Sequence, residues 1–266
     1  MLVDDYNHVD SKIFYIPENI PSANTHDAFE EQFSEGCVCK TICTIENQCF
    51  CILRSGAHYK TDTEHLHDAT IICSDTAKPV YECNKNCKCT QFCNHKLVQF
   101  GPRADLEIKL CDTVNGQCKG LGLITLKRIK KGSFVCEYAG EIINETDAMR
   151  RHDQNEKSKR MNYIFGVIEH FGRVCMKMFI DPSTFGNIGR YINHSCDPNS
   201  ELLTVRVNTV IPKLCIFAKD DIQAGAEITF DYGRDSNQNE DGKMARVKCL
   251  CGSKNCRQYI PLCNYN

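Results

Sequence analysis

Short apolar runs alternate with polar turns through the middle of the chain, between Leu106 and Tyr232. Alternation over a few residues is typical of half-buried strands, and Gly, Pro and Asp mark the turns between them. The pattern predicts strands at 121–126, 133–138, 163–168, 174–180, 202–207 and 214–218. It predicts turns at 130–132, 181–182 and 224–225. This region is therefore predicted to be a mainly β domain with few helices.

One polar and charged stretch, residues 147–160, interrupts the strand pattern, and Met149 is nearly its only apolar residue. Such a segment suits an exposed helix, for which the preceding Asn144 is a suitable N-cap. No stretch approaches the roughly 18 apolar residues that a membrane-spanning helix needs. We therefore expect an exposed helix here and no membrane contact.

Cysteine is the unusual feature of the composition, with 20 cysteines among 266 residues. The first ten residues include three Asp and no apolar segment, so no secretory signal is predicted. Disulfides are rare in reducing compartments, whereas closely spaced cysteines there commonly bind metal. We interpret most of these cysteines as metal ligands, with a disulfide scaffold as the alternative.

Nine cysteines form a first module in two groups on either side of a polar stretch, and one to five residues lie between neighbours within each group. Thiolates at such spacing can share a tetrahedral zinc ion. Nine exceed the eight that two separate sites need, and they would satisfy three ions if three sulfurs bridged. The count alone leaves both arrangements open. The nine are Cys37, Cys39, Cys43, Cys49, Cys51, Cys83, Cys87, Cys89 and Cys93.

A second module near the end of the chain contains Cys249, Cys251 and Cys256, which leave a zinc ion one ligand short. A fourth ligand must come from elsewhere. A further set of cysteines is interpreted as ordinary core or surface thiols rather than catalytic groups. That set is Cys73, Cys111, Cys118, Cys136, Cys175, Cys215 and Cys263.

Four segments of the middle region carry a resemblance. Residues 189–199 read GRYINHSCDPN, residues 225–232 read GAEITFDY, and residues 137–141 read EYAGE. These resemble three ordered motifs of SET domains, and KGLG at 119–122 stands where that family has a G-x-G cofactor turn. With a cysteine module on each side, the chain resembles SET-domain histone lysine methyltransferases of the histone H3 lysine-9 class.

The resemblance implies a SET fold, mainly β with few helices and a pseudoknot-like threading, flanked by zinc-stapled pre-SET and post-SET modules. It implies an N-terminal extension at 1–34, a three-zinc pre-SET module at 35–98, a SET domain at 106–233 and a post-SET module at 245–261. In the family the fourth post-SET ligand belongs to the N-H-S-C motif, which here is Cys196. We expect the extension to pack on the cysteine module.

The implied activity is methyl transfer from S-adenosylmethionine to a lysine of the histone H3 tail. By resemblance, Tyr232 directs its hydroxyl at the reacting groups, Tyr138 lines the lysine channel, and Phe230 favours di- or trimethylation. Leu121 departs from the family, which often has Trp there. The expected cofactor-binding residues are Lys119, Gly120, Leu121, Gly122, Tyr163, Arg190, Asn193 and His194.

The same resemblance implies a nuclear, chromosomal protein whose partners are the histone H3 tail and other chromatin proteins. A net charge of −2 and a pI near 6.5 argue against sequence-specific nucleic-acid binding, which usually requires a basic surface. Two alternatives remain at this point. The chain could be a non-catalytic, zinc-stabilised chromatin adaptor, or it could methylate a lysine of a non-histone protein.

Overall fold

A computed structural model of the chain describes residues 8–33, 35–55, 59–60, 69–71, 80–111, 113–114, 116–171, 174–233 and 247–261. The described elements are mostly short strands. Three α-helices are present among them: α1 (His26–Glu30), α2 (Phe50–Ser55) and α3 (Glu145–Lys157). Two short 3-10 helices cover Val98–Phe100 and Ile188–Tyr191.

The strands before α3 are β1 (Phe14–Tyr15), β2 (Ile20–Pro21), β3 (Tyr59–Lys60), β4 (Thr70–Ile71), β5 (Val80–Tyr81), β6 (Leu106–Leu110), β7 (Thr113–Val114), β8 (Gln117–Cys118), β9 (Leu121–Thr125), β10 (Phe134–Glu137) and β11 (Gly140–Ile143). Those after it are β12 (Phe165–Phe171), β13 (Val174–Gly186), β14 (Asn193–His194), β15 (Ser200–Arg206), β16 (Lys213–Ala218) and β17 (Thr229–Phe230). The predicted mainly β fold is confirmed, since strands outnumber helices throughout the described residues.

Two larger sheets organise the β domain. One runs β1-β13-β11-β2, with β12 paired to β13, and the other runs β10-β16-β15-β5. Aliphatic side chains from both sheets meet in one core, in which Leu123, Ile180 and Ile216 are fully buried. Burial of such side chains stabilises a fold by roughly 1.5–3 kcal/mol each. This core fixes the elements that carry the motifs.

Helix α3 forms where the polar stretch predicts it. The Asn144 side chain accepts a hydrogen bond from the backbone N–H of Asp147 at 2.8 Å, which is the expected N-cap. Ala148 and His152 are buried, so the rest of the helix lies largely at the surface. The predicted turns at 130–132 and 224–225 are also present, with Gly132 and Gly225 at positive φ.

The predicted turn at 181–182 is wrong, because β13 continues through it to Gly186. The register against β11 shifts here, from the Glu141–Asp181 pair to the Gly140–Gly186 pair. Pro182 therefore lies in an irregularity of the ladder, where its missing N–H costs no hydrogen bond. The Asp181 carboxylate also accepts a hydrogen bond from the Ser183 N–H at 3.0 Å.

Residues 14–21 of the N-terminal extension pack on the β domain, so the expectation that the extension packs on the cysteine module is wrong for them. The end of the extension does contact that module, through Gln32 with Lys85 and Phe33 with Asn86. Strand β1 pairs in parallel with β13, and β2 pairs in parallel with β11. Phe14 stacks on Phe185 with ring centroids 5.5 Å apart. The extension covers two unpaired strand edges, which a short apolar segment can do wherever its backbone reaches them.

The cysteine module has little regular structure beyond α2 and a few short strands. The buried cluster around its sulfurs consists of cysteines and Ile52. Other buried residues of the module, such as Val80 and Leu97, pack against Phe134 of the β domain. Among the cysteines interpreted as ordinary thiols, Cys111, Cys136 and Cys215 are buried and Cys118 and Cys175 are exposed. Two others, Cys73 and Cys263, lie outside the described residues. Within the described ranges, every helix is too short or too polar to cross a membrane.

Candidate active site and metal centres

The motifs at 189–199 and 225–232 contribute two adjacent strands. Strand β14 pairs in parallel with β17, so that His194 lies opposite Phe230. The Asn199 amide reinforces the contact, because it donates to the Glu227 carbonyl at 2.8 Å and accepts from the Thr229 N–H at 3.0 Å. Two segments more than 25 residues apart in sequence thereby form one site.

Tyr232 lies two residues beyond the end of β17, and its ring packs against those of Phe230 and His194. Its centroid lies 4.8 Å from that of Phe230 and 5.3 Å from that of His194. Its hydroxyl donates to the Ile192 carbonyl at 2.8 Å, and its N–H donates to His194 Nδ1 at 3.2 Å. Burial raises the pKa of Tyr232 above its ordinary value, helped by the nearby Tyr163 and Glu227. The hydroxyl therefore stays protonated near neutral pH.

Phe230 is buried at the centre of an aromatic cluster. Tyr138 and Phe165 lie edge-on to its ring, with centroid distances of 6.2 and 5.9 Å. The Tyr138 hydroxyl donates to the Tyr163 carbonyl at 2.6 Å, and this bond holds the two predicted site residues together. Phe165 received no role from the sequence, and only its place inside the strand predicted at 163–168 could have suggested one.

The Arg190 guanidinium lies over the Tyr163 ring. It is 4.4 Å from the centroid of that ring, a cation–π distance. Its Nε donates to the Pro182 carbonyl at 3.1 Å, so the guanidinium is held by this hydrogen bond and by the Tyr163 ring. Arg190 is buried, and the structure therefore places it inside the aromatic group rather than at the surface.

The turn at 119–122 needs its two glycines. Gly120 has φ of +89°, a conformation that other residues rarely adopt. A Cβ on Gly122 would lie 2.3 Å from the Cys111 sulfur and 2.9 Å from the Glu227 carboxylate. The Asn193 amide donates to the Leu121 carbonyl at 3.0 Å, which joins the turn to β14. The predicted cofactor residues of the two segments therefore lie side by side.

Glu227 connects these elements and was not singled out from the sequence, although it lies inside the quoted 225–232 motif. Its carboxylate pairs with Lys119 Nζ at 2.7 Å and accepts from the Asn193 amide at 2.8 Å and the Cys111 thiol at 3.2 Å. Burial by itself would raise the pKa of Glu227, but these donors outweigh it and lower the pKa. The ionised carboxylate thus holds the turn and Asn193 in one arrangement.

The cysteine module brings its sulfurs together. The Cys43 sulfur lies 3.6 Å from those of Cys37 and Cys83, and the Cys51 and Cys87 sulfurs are 3.5 Å apart. Four thiolates around one zinc at about 2.3 Å lie about 3.8 Å from one another, so the donor set fits zinc. Three overlapping four-sulfur groups occur among the described residues, and all of them share Cys37. Overlap of this kind is compatible with sulfurs that bridge metal ions.

Backbone donors favour the thiolate form in this module. Cys87 Sγ accepts from the N–H groups of Cys37 and Asn84 at 3.3 and 3.2 Å, and Cys93 Sγ accepts from that of His95 at 3.4 Å. Hydrogen bonds from the Cys51 and Cys83 thiols, and then these donors, lower the pKa of Cys87, whereas burial raises the pKa of Cys43 and of Cys89. A lowered thiol pKa favours metal binding because the thiolate is the ligand.

The second metal centre joins the end of the chain to the β domain. The sulfurs of Cys196, Cys249, Cys251 and Cys256 all lie within 4.8 Å of one another. The first two are 3.8 Å apart although 53 residues separate them in sequence. The structure therefore brings Cys196 to the three cysteines that lacked a fourth ligand. Zinc binding at both centres stays a prediction.

Comparison with known proteins agrees with this geometry. Residues 120–233 match the family model of the SET domain, and residues 2–96 match that of the Pre-SET motif. A probable histone-lysine N-methyltransferase, set-23 of Caenorhabditis briggsae, is 38% identical over 241 residues, which cover 90% of this chain and 91% of that protein. This chain belongs to the SET-domain histone-lysine methyltransferases.

Other members of the family are similar along most of the chain. The histone-lysine N-methyltransferase SETMAR of Homo sapiens is 39% identical over 85% of this chain and 33% of its own length. The crystal structure of its methyltransferase domain matches this SET-domain methyltransferase with a TM-score of 0.76 and 33% identity, covering 96% of this chain and 91% of that one.

A complex structure is also similar. KRYPTONITE, solved with mCHH DNA, an H3(1-15) peptide and S-adenosylhomocysteine (SAH), matches with a TM-score of 0.73 and 30% identity, covering 97% of this chain and 50% of that one. The predictions of a SET fold and of protein lysine methyltransferase identity are confirmed by these similarities.

Proposed function

We propose that this chain methylates lysine 9 of the histone H3 tail, to the di- or trimethyl state, with S-adenosylmethionine as the donor. The observation that carries the proposal is the Tyr232 hydroxyl, which is held on the Ile192 carbonyl beside the rings of Phe230 and His194. A protonated hydroxyl among apolar rings, next to backbone carbonyls, suits a lysine amine that must react as a nucleophile.

The amine needs such surroundings because only its neutral form attacks. Free lysine has a pKa near 10.4, so most of it is charged at neutral pH. Burial against the rings of Tyr138, Phe165 and Phe230 disfavours the ammonium form. The Tyr232 hydroxyl and the Ile192 carbonyl can orient the amine, and alignment of two reactants can contribute roughly 7–11 kcal/mol.

The donor pocket would be formed by Lys119, Gly120, Leu121 and Gly122 together with Asn193, His194, Tyr163 and Arg190. The open space beside Gly120 and the Asn193–Leu121 hydrogen bond support a pocket in which the donor lies against backbone. S-adenosylmethionine, when bound, supplies a methyl group activated by a positively charged sulfonium. Leu121 would provide an apolar wall in place of an aromatic one.

Charge and a relative support a histone tail as the substrate. A three-zinc, nine-thiolate cluster and a four-thiolate zinc site would take the net charge from −2 to about −7. An acidic protein captures basic peptides faster at low salt. The peptide bound to KRYPTONITE covers H3 residues 1–15, a stretch that includes position 9. A nuclear location on chromosomes, among other chromatin proteins, follows from this substrate.

The test is methyl transfer from labelled S-adenosylmethionine to an H3 tail peptide, run beside a peptide with lysine 9 replaced by alanine. We expect label in the intact peptide only. Tyr232→Phe should lower kcat by about a hundredfold or more, because it removes the orienting hydroxyl and leaves the ring. Absence of transfer to any histone, from protein that retains its zinc, would favour the adaptor function or a non-histone substrate.

The product state is tested at Phe230. A hydroxyl at this position could hold a water molecule near the amine and reduce the space for added methyl groups, whereas Phe leaves that space open. Mass spectrometry should therefore find di- and trimethyl product with the wild type and a shift toward monomethyl product with Phe230→Tyr. Monomethyl product alone from the wild type would contradict the proposed product state.

A further inference from the structure

Arg257, directly after the last cysteine of the post-SET module, contacts the β domain at several points. Its Nη1 donates to the Gly233 carbonyl at 2.9 Å, and its Nη2 pairs with the Asp231 carboxylate. Its backbone N–H donates to Cys196 Sγ at 3.3 Å. The two partners of the guanidinium are the residues on either side of Tyr232. The Arg257 side chain therefore contacts both the residue before Tyr232 and the residue after it.

Other hydrogen bonds also hold the main chain around Tyr232. Its own N–H donates to His194 Nδ1 at 3.2 Å, and the same imidazole lies 3.4 Å from Arg257 Nη2 through its Nε2. The Gly233 N–H donates to the Asp231 carboxylate at 3.1 Å. The arginine fork adds one contact to the Asp231 carboxylate and one to the Gly233 carbonyl, and it ties both to the residue that directly follows Cys256.

We propose that Arg257 is a positioning residue that couples the post-SET metal centre to the orientation of Tyr232. Cys196 Sγ and Cys256 both belong to the four-sulfur group, and Arg257 is attached to the first by a hydrogen bond and to the second by the peptide chain. When the four sulfurs gather, they place the guanidinium against Asp231 and Gly233. The catalytic consequence rests on the proposed function of Tyr232, whereas the geometric consequence does not.

The effect on catalysis should appear in kcat more than in KM. A misplacement of about 1 Å at a reacting group can cost about a hundredfold in rate, while peptide binding depends on many other contacts. We expect Arg257→Gln to lower kcat at least about tenfold with little change in the peptide KM and with full zinc content. Arg257→Lys, which can still reach one of the two acceptors, should recover part of kcat.

Lys254→Gln is the matched control, because it removes a positive charge from an exposed position in the same module. It should leave kcat, KM and zinc content unchanged. A double variant, Arg257→Gln with Asp231→Asn, should be little worse than the more impaired of the two single variants, since both changes break the same contact.

A second readout does not depend on activity. In protein labelled with ¹³C at tyrosine, the signal that disappears in Tyr232→Phe identifies Tyr232 among the ten tyrosines. We expect this signal to shift or broaden in Arg257→Gln and to stay in place in Lys254→Gln. If the wild type transfers no methyl group but the signal still shifts in Arg257→Gln, the proposed function fails and the positioning role stands.

Two results would overturn the inference. One is an unchanged Tyr232 signal and an unchanged kcat in a folded, zinc-replete Arg257→Gln protein. The other is loss of zinc from the post-SET centre in both Arg257→Gln and Arg257→Lys, which would make the arginine a stabiliser of the module alone.

Discussion

The cysteine module and the β domain bury different kinds of side chain. In the cysteine module, seven of the eight members of the described buried cluster are cysteines and the eighth is Ile52. In the β domain the largest described cluster is built from Leu, Ile, Val and aromatic residues of both sheets. In the first region the buried cluster around the sulfurs contains sulfurs at metal-binding distances, and the apolar residues Val80 and Leu97 pack instead against the β domain. The second region has an extensive apolar core of its own.

The difference matters for what each region can withstand. Metal binding is folding free energy in a module of this type, of the order of 10–16 kcal/mol for a structural zinc site. Apolar packing distributes a comparable stabilisation over many residues. The cysteine module should therefore depend on a ligand and on pH, and the β domain should depend on the volume of its buried side chains.

Metal removal should have the largest effect. A strong chelator should strip zinc from the protein, with three ions expected from the cysteine module and one from the post-SET centre. Hydrogen exchange should then show the backbone around Cys37–Cys93 unprotected, while β13 and β16 keep much of their protection. Equal loss of protection in both regions would mean that the β domain also needs the metal to fold.

Substitution of one cysteine in each region tests the same difference. Cys43 is fully buried within two of the sulfur groups, whereas Cys175 is exposed in β13. Cys43→Ser should lower the zinc content and the melting temperature, while Cys175→Ser should change neither. Elemental analysis and thermal unfolding of the two variants provide the measurement.

Truncation of a buried side chain in the β domain should have the next largest effect on stability. Ile216 in β16 is fully buried, so Ile216→Ala should destabilise the β domain by about 2–5 kcal/mol through lost burial and a cavity. Its zinc content should equal that of the wild type. Ile168→Ala in β12, at a side chain 42% exposed, is the control and should cost far less. Zinc loss from Ile216→Ala would contradict the separation between the two regions.

Replacement of the Glu227 carboxylate should have the smallest effect on the free energy of unfolding. The pKa of this carboxylate is lower in the folded protein than the ordinary value of 4.5, so its ionised form stabilises the fold above that pH and the contribution is lost as pH falls below it. Glu227→Gln should cost about 1.5–3 kcal/mol at pH 7, as is typical of hydrogen bonds to charged groups. The difference from the wild type should shrink below about pH 4.5.

An exposed pair controls for general charge effects. Glu107 and Lys109 pair at 2.8 Å with about half of each side chain exposed. Glu107→Gln should therefore cost less than about 1 kcal/mol at any pH. Denaturant unfolding of both variants between pH 4 and 7 checks the prediction, and a difference for Glu227→Gln that grows on acidification would contradict it.

Local features of the sequence determined much of this protein. The alternation of apolar residues predicted the strands β9, β10, β12, β13, β15 and β16, and Asn144 predicted the start of α3, because both signals act within a few residues. The spacing of the cysteines predicted metal centres for the same reason. The four motifs marked the site, since Tyr232, Phe230, Asn193 and the glycine turn each lie inside one of them.

The tertiary structure decided what depends on contacts between distant segments. The pairing of β1 and β2 with the β domain, the continuation of β13 through Pro182, and the two hubs at Glu227 and Arg257 have no local signature. Glu227 meets Lys119 across 108 residues, and Arg257 meets Asp231 across 26. Such partners are selected by the fold that brings them together, because a carboxylate or a guanidinium is suited to many sites until its surroundings are fixed.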